Sequence, residues 1–266
     1  MPDITFRGGR LAPHPADTHP RIRFRVALTG ELPPLPKVID YAARIKDWPM
    51  YGNDQWGDCV WAMIGHMIES VTAYAGDPVK PTEAALLKGY ADVTGFDPDD
   101  PSTDQGTVIQ DALDYWRKTG IEMPDGSRHR ILGFAQVDHG NAREMDYALD
   151  LFGAVAVGVN FPSSAMDQFN AGQPWDYIPG SPVEGGHAVH KVSSDTTTEL
   201  GQVVTWGRVQ PVTETWAMQY VEETWAVALP ELVDDDFPLK ANAAALNSAF
   251  EEVTGHPGPF PVDASR

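Results

Sequence analysis

The chain has 266 residues, 42% of them hydrophobic, and 24 glycines bring that share to about 51%. That is globular composition and excludes a wholly disordered chain; the length predicts one large domain or a domain with arms. With 19 basic and 38 acidic residues the formal charge is −19. Phosphate backbones and anionic lipid surfaces repel such a chain, so no nucleic acid and no membrane is expected as a partner.

The longest uncharged apolar run, Leu151 to Phe161, is 11 residues. A spanning helix needs roughly 20, so no transmembrane segment is expected. No apolar stretch follows the first charges, so no signal peptide is expected either. A single cysteine excludes an intrachain disulfide framework and a multi-cysteine metal site. No His/Asp/Glu cluster has ligand spacing, so neither metal nor cofactor is expected.

Residues 1–47 read as an extended arm. Seven prolines before residue 39 oppose any helix there. Residues 1–30 hold five Arg and two Asp, a net +3 against −22 for the rest. Within them Arg21-Ile22-Arg23-Phe24-Arg25-Val26 alternates charged with apolar, which predicts a short strand. A two-faced strand of this kind suits two roles. It straps the arm to its own body, or it adds to a neighbouring subunit's sheet, with the arginines pairing carboxylates at the rim. The attachment role is the one expected here. An inhibitory segment is not, because the prolines exclude a helical hairpin here.

The body, residues 48–237, begins with helices. Val60, Ile64, Met67, Ile68 and Val71 recur at helical spacing after Gly57-Asp58-Cys59, and Gly76-Asp77-Pro78 stops them. Further helices are predicted over 81–94 and 107–118. After residue 130 the pattern shifts to strands over 131–137, 154–160, 187–193, 202–207 and 223–229, with one helix over 141–152. Helices first and strands later is an α+β signature. Residues 238–266 read as a partly helical tail.

Cys59 is the candidate nucleophile. A helix start favours a thiolate, Asp58 is placed to cap that helix, and Asn53 and Gln55 lie just upstream as amide donors for an oxyanion. A low thiol pKa is therefore expected. Among eight histidines His187 stands out, because Gly185-Gly186 before its strand let another backbone come close. His190 falls on the opposite side of that strand.

Asn53 to Ala62 resembles the nucleophile segment of the papain-like cysteine peptidase superfamily: an amide residue, Gly, any residue, Cys, and a Trp-Ala pair opening the central helix. Four further stretches are similar to that superfamily's in the same order. They are Thr103–Ile121; Tyr147–Val159 with Phe169-Asn170-Ala171-Gly172 after it; Gly186-His187-Ala188-Val189; and Thr205-Trp206-Gly207. The match spans about residues 48–230. The "GND…GDC" form resembles papain-like proteins encoded by tailed bacteriophages.

The resemblance implies a two-lobed fold, a helical lobe facing an antiparallel β-barrel-like lobe. It implies Cys59 as nucleophile and His187 as acid and base, cleaving amide bonds of a peptide, protein or cell-wall peptide substrate. Two positions depart from the family pattern. The oxyanion amide falls on Asn53, with Gln55 reaching that role only through a two-residue gap. The orienting Asn position, two before Trp206, is Val204, leaving Thr205 as a neighbouring donor or acceptor. The alternative is a bacteriophage virion component that keeps the fold with weakened catalysis and docks on virion subunits through its arm. The host cytoplasm or the virion is then the expected location, and the absence of disulfides suits a reducing compartment.

Overall fold

The computed structural model describes residues 4–29, 33–198, 200–233 and 241–262. The expected boundary between body and tail, at 237/238, lies outside the described residues. Helix α1 (Cys59–Ala75) is followed by α2 (Glu83–Thr94) and α3 (Ile109–Lys118). A short strand β1 (Val38–Asp40) precedes them, and a small ribbon of β2 (Ile121–Glu122) and β3 (Arg128–His129) follows. Then come β4 (Gly133–Val137), α4 (Ala142–Phe152), β5 (Ala154–Pro162), α5 (Ser163–Asn170) and β6 (Val183–Asp195). The described chain continues through β7 (Leu200–Thr205), β8 (Arg208–Thr213), α6 (Glu214–Tyr220), β9 (Val221–Ala228) and α7 (Ala243–Thr254).

One antiparallel seven-stranded sheet organises the molecule, in the order β4-β9-β5-β6-β7-β8, with β1 paired to the far end of β6. The period of two along its strands separates two cores. Ala154 and Ala156 of β5, Ala188 of β6, and Trp225 and Val227 of β9 face the helical lobe of α1, α2 and α3. Val155, Val157, Val159 and Phe161 of β5, Val189 of β6, and Ala226 and Ala228 of β9 face the second core, with α4, α7 and part of the arm. Helix α1 lies between the helical lobe and the sheet, and every residue from Cys59 to Ala73 is buried.

Helices α1 to α4 begin or end at the capping signals in the sequence. Thr82 and Asn141 accept from Ala85 and Glu144 backbone N–H groups, and Gly76, Gly95 and Gly153 close their helices in the left-handed region. Strand β8 and helices α5 and α6 were not anticipated. Each is short, and Pro211 interrupts the β8 pattern.

The arm differs from expectation. Phe24–Leu28 is a 3-10 turn, and within residues 21–28 only Arg23 forms a bridge to the sheet, with Gln136. The alternation of burial nevertheless holds, with Ile22 and Phe24 buried and Arg23 and Arg25 exposed. Ile22, Phe24 and Ala27 belong to the second core, so this stretch straps the chain to its own body. The apolar face proposed for a neighbour's sheet is used internally.

Three histidines are buried and held as neutral rings. Burial pulls His66 down to about 4 and His190 and His187 each to about 3. The unfolded chain therefore binds protons at these sites that the folded chain refuses, so stability falls as pH drops from about 6.5 toward 3. Buried Asp58 and Glu69, whose carboxyls are raised, act in the opposite sense. The three histidines are expected to dominate: Tm should decline between pH 7 and pH 4, and His190→Gln should flatten that slope in a pH series of thermal melts.

Candidate active site

Cys59 opens α1 and is 1% exposed. Asp58 is the residue before the helix but its side chain makes no capping bond. Its buried carboxyl meets Asn53 instead, whose Nδ2 donates to Asp58 Oδ1 at 3.3 Å and to the Trp56 carbonyl at 3.3 Å. Asn53 thus has both amide contacts inside the turn before α1. Gln55 is exposed. Neither amide is brought to the sulfur by a hydrogen bond.

His187 lies on β6 and is fully buried. Its Nε2 is 2.7 Å from Thr205 Oγ1, at the end of the adjacent strand β7. Its Nδ1 is buried with no hydrogen-bond partner, the Cys59 thiol included. The ring stacks on Trp206, centroids 4.4 Å apart and planes within 14°. Trp206 and Gly207 form the two-residue turn between β7 and β8, both at positive φ (43° and 73°). Such primed turns match the twist of a hairpin, although a tryptophan is an unusual occupant. Here the turn swings the indole over the imidazole. Sequence reasoning placed Thr205 beside the orienting position; the hairpin is what aims its hydroxyl at Nε2.

The opposite wall of the cleft is the loop before α3. Asp104 accepts from the Gly57 backbone N–H at 3.0 Å and from the Tyr90 hydroxyl at 2.7 Å. Trp61 Nε1 donates to Thr107 Oγ1 at 3.0 Å. The turn leading into Cys59 is therefore clamped to the 104–107 loop, with side chains from α1 and α2 bonded to it.

Between these walls runs the chain's own N-terminal segment, residues 4–11. Asn170 brackets the Ile4 backbone with two 3.0 Å hydrogen bonds. Phe6 stacks on Phe161 at 4.6 Å and meets His187 and Trp206 edge-on. The Gly9 and Arg10 N–H groups both donate to the Gly186 carbonyl at 3.2 Å, Thr107 N–H donates to Gly9 O at 2.7 Å, and Leu11 N–H donates to Thr107 O at 3.0 Å. The segment bridges both lobes as an extended peptide. It needs glycine to pass: a Cβ on Gly9 would lie 1.8 Å from the Gly57 carbonyl oxygen, and one on Gly186 would lie 2.1 Å from the Arg10 carbonyl oxygen. The expectation that Gly186 admits another backbone is thus met by the chain itself. The expectation that this arm leaves the cleft free is corrected: an irregular segment with one bridge, Arg10 to Thr107, lies in it without any helical hairpin.

The electrostatics follow from this closure. Burial pushes the Cys59 thiol up to about 12, against the lowering effects of the Ala188 N–H, the Arg10 charge and the Gly9 N–H. Burial, with Arg10 beside it, pulls His187 down to about 3. At neutral pH the pair is a thiol and a neutral imidazole. The low thiol pKa expected from the helix start is therefore corrected, because desolvation outweighs the helix dipole. Among the described residues no group of three or more His, Cys, Asp or Glu could hold a metal ion, and no helix is long and apolar enough to cross a membrane.

No family model and no curated protein matches the sequence. Solved structures do match the fold. Xylellain, a cysteine protease from Xylella fastidiosa, superposes with a TM-score of 0.63 at 14% identity, over 84% of this chain and 96% of that one. Digestive procathepsin L 3 of Tenebrio molitor larval midgut gives 0.58 at 16% identity, over 79% and 75%. Procathepsin B S9 from Trypanosoma congolense gives 0.58 at 15%, over 84% and 86%. The chain has the papain-like fold of cysteine proteases, as the ordered motifs implied.

Gly9→Ala should push the segment off Gly57 and expose the thiol. Wild-type protein is expected to react slowly with iodoacetamide at pH 6, and Gly9→Ala at least tenfold faster, followed by mass spectrometry of Cys59. Equal rates would show that the segment does not limit access.

Proposed function

We propose that the chain is a papain-like thiol hydrolase of peptide bonds, held closed by its own residues 4–11. The observation that carries this reading is the occupant of the cleft. An extended peptide pairs with Gly186 and Thr107 directly over Cys59, where a peptide substrate would have to lie. Its Gly9 N–H donates to the Gly186 carbonyl and its Gly9 carbonyl accepts from the Thr107 N–H, so the segment is tied to both walls by its backbone.

With the cleft open, water returns and the thiol pKa falls toward its ordinary value. His187 takes the thiol proton at Nδ1, the sulfur attacks the carbonyl carbon, and the proton passes to the departing amine. Water then hydrolyses the thioester, with His187 acting as base. Thr205 is the positioning residue. By accepting from Nε2–H it keeps the Nδ1 lone pair free as the base. The Cys59 backbone N–H is the donor for the developing oxyanion, the Asn53 amide being engaged with Asp58. The alternative role as a virion interaction module rested on a free arm, and the arm's apolar face is spent on this chain's own core.

The test is hydrolysis of a mixed peptide pool by the opened Gly9→Ala protein. Cleavage should be detectable, should vanish with Cys59→Ser, and should drop about tenfold in kcat with Thr205→Val, the value of roughly one net hydrogen bond. If Cys59 labels rapidly and no peptide is cut, the fold has been kept without the activity.

A further inference from the structure

Arg10 crosses the cleft and enters a slot built for it. Its guanidinium is ion-paired with Glu223 Oε1 at 2.9 Å and with Glu222, and it donates to Asn160 Oδ1 at 3.1 Å. The Arg10 and Glu223 side chains are 2% and 1% exposed. Glu223 has its second oxygen fixed by Trp225 Nε1 at 2.7 Å, so its carboxylate is aimed into the slot. The floor is Gly158 of β5, opposite Glu223 in the sheet. A Cβ there would meet the Arg10 Cδ and Glu223 Cγ atoms, each at 2.7 Å, so the missing side chain is what makes room for the arginine stem.

These walls belong to β5 and β9, while the cation belongs to a segment that occupies the cleft. Two carboxylates and a carboxamide oxygen are all acceptors, and the slot therefore complements a planar donor fork. Were the segment to leave, Glu223 would lose its paired guanidinium, a state that favours recruiting another. Arg10 is the residue next to Gly9, which packs against the Gly57 carbonyl in the turn before Cys59. The slot thus lies beside the turn that carries Cys59.

We propose that Glu222, Glu223 and Asn160, over Gly158, form a specificity subsite for a guanidinium side chain, so that the peptides which take the arm's place carry arginine. This rests on the reading of the cleft as a peptide site and names the substrate class. The chain's net charge of −19 favours the approach of such cationic peptides.

The experiment uses the full chain with Arg10→Ala and asks for chemical rescue. Propylguanidine should bind saturably and raise Tm, propylammonium should bind at least tenfold more weakly, and neutral propylurea should have no effect. Arg10→Ala/Glu223→Gln should lose the response to propylguanidine. Should Arg10→Ala fail to fold alone, refolding that depends on propylguanidine and not on propylurea gives the same reading. Equal effects of guanidine and urea, an unchanged response in the double variant, or no response to any of the three would overturn the proposal. None of these readouts needs hydrolysis, so a catalytically dead protein that binds propylguanidine keeps the subsite and loses the enzyme. Conversely, opened protein that cuts arginine-containing and arginine-free peptides equally keeps the enzyme and loses the subsite.

Discussion

A buried hydrogen bond pins α1 to the sheet. Ser70 Oγ lies 2.7 Å from His190 Nε2, and His190 Nδ1 is 3.3 Å from the Val155 carbonyl oxygen. Both side chains are fully buried, so losing either partner leaves an unsatisfied polar group at a cost of about 1–3 kcal/mol. Hydrophobic packing alone would allow a smooth helix to slide along β6. This polar pair ties the helix to β6, the strand that carries His187 three residues before His190. The rest of the site inherits that register.

The second dependency is the crowding of backbone at the lobe boundary. Gly9, Gly57, Gly106 and Gly186 meet where a side chain on any of them would collide with a carbonyl oxygen at 2.9 Å or less. The arrangement lets a peptide backbone lie directly on the turn before Cys59. It also explains the inverted ionisation of the pair. The segment excludes water from Cys59 and His187 together, and desolvation then favours the neutral form of each. The same segment therefore sets both the closure of the site and the neutral state of the two groups.

The arm holds on at both lobes with different chemistry. Phe6 packs among Phe161, His187 and Trp206 on the β side, while His14 is 2.9 Å from Asp111 of α3 on the helical side. Between them Arg10 forms the buried ion pair. Further along, Ile22 and Phe24 are part of the second core. The early segment is held mostly by pairwise polar contacts and one ring, the later one by burial in the second core.

The sequence by itself determined the local elements. The 3.6-residue period of Val60 to Val71, the glycine stop at Gly76 and the period of two along β5 and β9 depend on neighbours within a few residues, which sequence order supplies. It also placed Cys59 at a helix start and His187 behind two glycines, since both signals are local. The alternation of Ile22 and Phe24 announced burial correctly but not where, because an apolar face carries no address. Only the tertiary structure decided that the arm crosses its own cleft, that Thr205 reaches His187 through a hairpin turn, that Asn53 is spent on Asp58, and that Arg10 has two carboxylates waiting. Each joins residues separated by up to 213 positions, and the thiol pKa reversed for the same reason: desolvation is a property of everything packed around an atom.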